Sequence, residues 1–287
     1  MTSIKITGIN GYLGTIISKQ LIQRGYNVSG ISRKLLYGNA HGLKNQLKGC
    51  DVIINMAGAS ILQRWTQKNR KTIYDSRVET TKNLVKAIHL LPIKDQPKKF
   101  ISASAIGIYE LGKAHNESST KYETDFVGKV VKDWEDTLNE LPESIQKTIF
   151  RIGLVLGKEA KTIKNLLPFF KLGLGGPIGL GNQAFPFVHE KDLTNAFIWA
   201  VEDSKRNDTF NLVAPEKITN ADFTLTLAKK LKIPAFIPVP GFVLRLVFGE
   251  AATLLLKSPT VEPKALIDSG FNFEYPTIDS ALTEILA

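Results

Sequence analysis

The run "SIKITGINGYLGTII" near the start of this 287-residue chain restricts its fold more than any other stretch. A short β-branched segment, Ile4 to Thr7, runs into Gly8, Gly11 and Gly14, and an apolar helical period begins at Leu13. In a G-x-x-G-x-x-G turn each glycine meets a separate steric demand. The chain reverses at Gly8, main chain comes close to a pyrophosphate near Gly11, and helix packs on strand at Gly14. The helix opening there offers free N–H groups and a partial positive charge, which suits a phosphate. The expected dinucleotide-binding set is therefore Gly8, Asn10, Gly11, Tyr12, Leu13 and Gly14.

The next residues keep the same rhythm. After the helix (Leu13 to Arg24) come strands at Asn27 to Ser32 and Val52 to Met56, then helices at Gln67 to Leu90 and Asp125 to Asn139. Further strands are expected at Lys99 to Ser102 and Lys147 to Ile152. Alternating strands and helices predict an α/β fold, a Rossmann-like doubly wound parallel sheet, with a smaller C-terminal domain on the substrate side. The expected division is 1–215 for the cofactor-binding domain and 216–287 for the small one. Glycine and proline crowd 157–186, which reads as an irregular loop segment facing the substrate.

The second strand ends in "GISRK", where such a fold meets the adenosine ribose. NAD specificity calls for an acid there to bind the 2′-hydroxyl, and this chain has Ser32, Arg33 and Lys34 instead. That favours NADP(H), with Arg33 as a planar fork for the 2′-phosphate and Lys34 as a point charge; the bland alternative is a pair of solvated surface residues. In "DVIINMAG", the small Ala57 and Gly58 permit close approach to the cofactor.

The formal charge of +10 does not imply nucleic acid, because the 37 Lys and Arg are scattered and no nucleic-acid-binding signature accompanies them. Such a balance suits an anionic ligand. The single Cys50 provides neither a disulfide nor a metal cluster, which fits a reducing cytoplasm. A strand that begins at once leaves no room for a leader, so a cytoplasmic location is expected. The apolar run from Phe242 to Leu256 is too short to span a bilayer and is interrupted by Arg245 and Glu250, so it is expected to be a core-facing helix. The expected partners are a small-molecule substrate and, as an open option, a second copy of the chain as a homodimer, with no nucleic acid and no membrane.

The glycine turn, "NMAG" and the strand-end serines of "ISASAIGIY" resemble the short-chain dehydrogenase/reductase superfamily. More narrowly, the chain is similar to the atypical epimerase-family proteins that carry a C-terminal domain of unknown function. The matching stretches include "RWTQKNRKTIYDSRVETT", "DFVGKVVKDWE", "RIGLVLG", "LLPFFKLGLGGPIGLGNQ", "FVHEKDL" and "VPGFVLRLVFGEAATLLL", spread over nearly the whole chain. Two departures stand out. "KEAKT" replaces the glycine pair usual after "VLG", and Phe187-Val188 stands where a tryptophan often precedes the histidine.

The resemblance implies a Ser, Tyr and Lys that share a proton-transfer role, the last two spaced Y-x-x-x-K on a helix. Tyr122 is followed four residues later by Phe126, and Lys129 lies about 10 Å along a helix from it, so that pair is absent. Asp125 stands four residues before Lys129, as an i,i+4 ion pair or beside a lysine that still reaches the nicotinamide ribose. Ser104 matches the superfamily serine, with Ser102 next, and Tyr109 is the alternative acid; each has a structural reading as well. His189 and Asp192 lack a nucleophile elbow to serve. Arg64 and Trp65, with Lys68 and Arg70, are candidates for clamping an anionic substrate, and His189 is the third substrate-side candidate. No metal-ligand spacing is present. The expected function is an NADP(H)-dependent oxidoreductase or epimerase-like enzyme acting on a small molecule, or else a non-catalytic NADPH-binding sensor.

Overall fold

The computed structural model describes residues 1–203, 208–235 and 237–287. The chain opens with β1 (Ser3–Thr7), α1 (Tyr12–Gln23) and β2 (Asn27–Gly30), then α2 (Arg33–Leu36), α3 (Ala40–Leu47) and β3 (Val52–Asn55). The pair α4 (Gln67–Asp75) and α5 (Val78–His89) leads to β4 (Lys99–Ala105) and the short β5 (Ala114–His115). Next come α6 (Phe126–Thr137), β6 (Gln146–Ile152), β7 (Leu154–Leu156), α7 (Lys161–Lys171) and β8 (Phe187–His189). The chain continues through α8 (Glu190–Glu202), β9 (Thr209–Leu212), α9 (Asn220–Leu231), α10 (Gly241–Phe248) and α11 (Thr253–Leu256). It ends with β10 (Thr260–Val261), α12 (Lys264–Asp268) and α13 (Ile278–Leu286).

The central sheet has six parallel strands in the order β2-β1-β3-β4-β6-β9. Strand β1 has β2 on one side and β3 on the other, so the order reverses there and a crevice opens beyond the strands' C-terminal ends. Period-2 alternation sorts the side chains. Ile4, Ile6, Ile54, Ile101 and Phe150 pack with α1 and α8, while Ile53, Phe100 and Ile149 pack with α3 and α5. A separate core joins Leu156, Ile163 and Phe187 to Phe223, Leu227 and Leu282, which seats the C-terminal segment on β7, β8 and α7.

Four sequence expectations need correction. The helix expected over Gln67 to Leu90 breaks between Asp75 and Val78, where Arg77 has φ −114° and ψ −62°. The second strand stops at Gly30, because Ser32 N-caps α2. The glycine-rich segment contains the helix α7, since Ile163, Leu166, Leu167 and Phe170 keep a helical period that glycine and proline counts obscure. The run Phe242 to Leu256 divides at Gly249, whose φ of +62° favours glycine, and α10 buries none of its residues. Cys50 is buried, and burial pushes its thiol up to about 12, so it is inert. Among the described residues no helix is long and apolar enough to cross a membrane.

Candidate functional site

The glycine turn sits at the reversal point of the sheet. Gly8 adopts φ +69°, and the Gly11 N–H donates to its carbonyl at 2.8 Å. A Cβ on Gly14 would stand 2.3 Å from the Gly8 oxygen, so no side chain fits where helix meets strand. Gly11 caps α1 without a side chain, which leaves the Tyr12, Leu13 and Gly14 N–H groups pointing out of the helix with no partner inside it. The Thr7 hydroxyl accepts from the N–H groups of Met56 and Ala57, both at 2.9 Å, and donates to Asn55 Oδ1 at 2.9 Å. This hydroxyl locks the ends of β1 and β3 together and holds Ala57 against Gly8. Asn10 is exposed beside them. The result is a bare, positively polarised cradle that fits the pyrophosphate of a dinucleotide.

The end of β2 completes the anion site. The Ser32 N–H donates to Gln46 Oε1 at 3.0 Å, and Arg33 and Lys34 follow, exposed and without a salt bridge among the described residues. The Arg33 guanidinium lies 5.7 Å from the Tyr37 ring centre. Tyr37 also lines a groove of about 900 Å³ between α4, α5 and α6, whose walls include Arg70, Tyr74, Asn83 and Lys129.

The candidate proton-transfer residues are occupied elsewhere. Ser104, Arg151 and Asn211 stand side by side on β4, β6 and β9. The Ser104 hydroxyl donates to Glu135 Oε1 at 2.5 Å, and the Arg151 fork grips the same carboxylate at 2.9 and 2.7 Å. Burial opposes the Arg151 charge, but the Glu135 carboxylate outweighs it and the guanidinium pKa is raised. Tyr109 is fully buried; its hydroxyl accepts from Arg151 at 2.7 Å, donates to Asn211 at 2.8 Å, and its ring stacks on His115. Burial pushes that phenol's pKa up. Ser104 and Tyr109 are thus both hydrogen-bonded within one Glu135–Arg151–Asn211 network. Ser102 is equally enclosed. Asp125 is the N-cap of α6, accepting from the Gly128 N–H at 2.8 Å, so it forms no ion pair with Lys129, which faces the groove.

The substrate-side candidates are also redirected. The Arg64 guanidinium donates to the carbonyls of Leu246 and Val247, satisfying the C-terminal end of α10 instead of an anion. Trp65 packs edge-on against Phe126 at 5.1 Å, and its indole N–H donates to Ile61 at 3.0 Å. His189 is wholly buried: Nδ1 accepts from the Lys191 N–H at 3.2 Å, which makes Nε2 the proton-bearing nitrogen facing Glu284 at 3.0 Å. Burial lowers its pKa against the pull of Glu284. Asp192 accepts from the N–H groups of Glu274 and Tyr275 at 2.7 and 3.0 Å and so ties down the C-terminal loop.

Sequence reading missed Arg77. It is partly buried, donates to the carbonyls of Ala59 and Ile73, and faces the Trp134 ring at 5.7 Å without a carboxylate partner among the described residues. Burial lowers its pKa to about 10, and its guanidinium lies 3.1 Å from where a Gly58 Cβ would be. Only its place in "DSRVETT", just after a helix with no cap signal, hinted at it. Two buried side-chain oxygens, Tyr12 Oη and Glu190 Oε2, have no side-chain hydrogen-bond partner among the described residues, and both would clash with a Cβ on Gly157.

The profile of the NAD dependent epimerase/dehydratase family matches residues 4–212. The chain belongs to that family. A second profile, a domain of unknown function, matches 239–285 and covers α10 to α13. Among epimerase-family relatives, the mouse protein SDR39U1 is 36% identical over 293 residues, covering 99% of each chain. YfhF of Bacillus subtilis is 31% identical over 300 residues, covering 99% of this chain and 98% of its own. The crystal structure of human SDR39U1 isoform 2 with NADPH superposes with a TM-score of 0.91 at 33% identity, covering 99% of both chains. UDP-glucuronic acid 4-epimerase from Bacillus cereus with NAD shares the fold at a TM-score of 0.76 and 17% identity, covering 99% of this chain and 96% of that one.

Proposed function

We propose that this epimerase/dehydratase-family protein binds NADP(H) and uses it for redox chemistry on a small-molecule substrate. The observation that carries this reading is the end of β2, where Arg33 and Lys34 stand exposed, with no salt bridge among the described residues and no acid anywhere in residues 1–50, together with the bare N-terminus of α1. The NADPH in the human relative's structure supports the same choice. When bound, the nicotinamide supplies hydride transfer. The protein's part is binding and orientation: the Tyr12, Leu13 and Gly14 amides take the pyrophosphate, Arg33 and Lys34 take the 2′-phosphate, and Ala57 and Gly58 leave room for the ribose. A buried, inert Cys50 suits a reducing compartment such as the cytoplasm.

A second reading, a sensor that binds NADPH without turnover, is favoured by one specific observation. The Ser104 and Tyr109 hydroxyls both belong to the Glu135–Arg151–Asn211 network, so neither is free to deliver a proton. Two measurements separate the readings. Thermal stabilisation is compared for NADPH and NADH, and NADPH oxidation is followed against a panel of aldehydes, ketones and quinones. Stabilisation by NADPH well above NADH, with oxidation by at least one acceptor, supports the enzyme. Stabilisation with no oxidation by any acceptor supports the sensor, and equal stabilisation by both cofactors refutes the role given to Arg33.

A further inference from the structure

Helix α10 has an apolar sequence and no buried residue, which is unusual for a helix held in a folded chain. Leu244 and Phe248 turn partly inward, while Phe242 and Leu246, four residues apart, are 71% and 72% exposed. Val243 and Val247 repeat that spacing beside them. Further exposed apolar residues lie on the chain leading to a segment that pairs with the lead-in to α10. Val239, just before the helix, pairs with Ile178, and a Gly176 Cβ would collide with the Ile237 carbonyl. Along this segment lie Phe169 and Leu172 at the end of α7, then Leu174, with Leu172 73% exposed. The face does not hang loose: Arg64 holds the C-terminal carbonyls of α10, and Arg70 pairs with Glu250 just beyond it.

The charge near this face bears on what would cover it. Residues 160–189 contain Lys161, Lys164 and Lys171 and no acid; residues 223–249 contain Lys229, Lys230, Lys232 and Arg245 and again no acid. Lys164 and Lys230 are paired, with Glu159 and Asp279, while Lys171 and Arg245 are exposed, make no salt bridge among the described residues and neighbour the exposed apolar side chains in sequence. Exposed apolar side chains on α10 flanked by the cation Arg245, with the one exposed acid just beyond the helix, Glu250, neutralised by Arg70, suit docking on an anionic interface. A second copy would bring the same cations against one another, and no described helix is long enough to span.

We propose that the exposed face of α10 and the end of α7 docks on the surface of an anionic phospholipid bilayer, with Phe242, Leu246 and Leu172 entering the acyl boundary and Lys171 and Arg245 meeting the headgroups. This site lies outside the cofactor turn and is independent of which nucleotide binds there.

The test is co-sedimentation of the full chain with vesicles of phosphatidylcholine alone and of phosphatidylcholine mixed with phosphatidylglycerol. The wild type is expected to bind the mixed vesicles and much less the neutral ones, more weakly at high salt. The double variant Phe242→Asp/Leu246→Asp should lower the partition coefficient at least about 30-fold. Lys171→Ala/Arg245→Ala should lower it about 25-fold on anionic vesicles with little change on neutral ones. All four side chains are exposed, so melting curves of both variants should match wild type, which separates lost docking from lost fold. No binding to anionic vesicles, or equal binding to both kinds, overturns the proposal. So does a wild-type dimer in light scattering that Phe242→Asp/Leu246→Asp dissociates, because the face would then join two copies.

Discussion

Replacing Arg33 by alanine tests the cofactor assignment most directly. Arg33 is the first residue of α2, is exposed, and rests 5.7 Å from the Tyr37 ring centre. A guanidinium–phosphate contact contributes about 1.5–3 kcal/mol as a charge-assisted hydrogen bond. Leaving the Tyr37 face costs about 0.5–1 kcal/mol at an exposed site, so the net contribution to NADPH binding is about 1–2 kcal/mol. The Kd for NADPH should therefore rise about 5- to 30-fold in Arg33→Ala. NADH has no 2′-phosphate, and its Kd should stay within about twofold. Alanine is a good helix former, so α2 itself is not at risk. Isothermal titration with both nucleotides at one fixed salt concentration is the assay, since screening acts on an exposed charge. Equal weakening of NADPH and NADH would refute the reasoning, because the loss would then concern the shared adenosine. An unchanged NADPH affinity would refute it as well and would move the 2′-phosphate away from the end of β2.

Three other perturbations probe the turn and the C-terminal attachment. In Gly14→Ala the new Cβ meets main chain at 2.3 Å, so NADPH should no longer raise the melting temperature; a normal shift would contradict the tight packing. His189, with an ordinary pKa of 6.5, is held lower in the folded protein by burial, so the unfolded chain takes the proton more readily. Its contribution is complete above about pH 6.5 and is lost as pH falls towards the folded value, so wild-type melting should drop more steeply than that of His189→Gln between about pH 7 and pH 5. Parallel slopes would show that His189 does not titrate on unfolding. Asp192→Asn leaves one of two backbone N–H groups without its acceptor, at about 1–3 kcal/mol, and should speed proteolysis around residues 270–277; unchanged cleavage would mean that the loop is held by other contacts.

The sheet and the glycine turn were legible because both depend on short-range rules. Strand period, a reversal that only Gly8 tolerates and a helix opening on bare amides are all written in neighbouring residues. The end of β2 was read two residues too far, because Ser32 opens α2, and Arg33 and Lys34 stand on the first turn of that helix instead of at a strand end. Side chains whose roles depend on distant partners were not readable. Glu135, Arg151 and Asn211 meet only once α6, β6 and β9 are assembled, and that meeting determines what Ser104 and Tyr109 do. Arg64 looked like an anion clamp because its partner, the end of α10, lies more than 180 residues away. The apolar run beginning at Phe242 looked like core because hydropathy gives no sign of whether a helix has a neighbour to bury against.

The buried network also separates the two functional readings by energy. Glu135 and Arg151 are 12% and 6% exposed, and each has the other as its only opposite charge at hydrogen-bond distance among the described residues. Glu135→Leu strands the guanidinium in the interior and should cost about 3–5 kcal/mol of stability. Ser104→Ala removes one donor from a carboxylate that keeps both arginine bonds, so it should cost about 1.5–3 kcal/mol, less than Glu135→Leu. A structural serine therefore predicts that loss in urea denaturation and no effect on NADPH oxidation with any acceptor that works. A serine that also orients substrate predicts the same loss with turnover reduced by a factor of ten or more, on the order of 1.4 kcal/mol. The donor cannot serve both partners at once. Its 2.5 Å bond to Glu135 must break before the hydroxyl can turn to a substrate oxygen, and that rearrangement would appear as a stability difference between wild type and Ser104→Ala that changes when substrate is present. A Ser104→Ala protein that keeps full turnover and loses only that stability increment leaves the network as scaffold and sends the search for a proton donor to the substrate or to water.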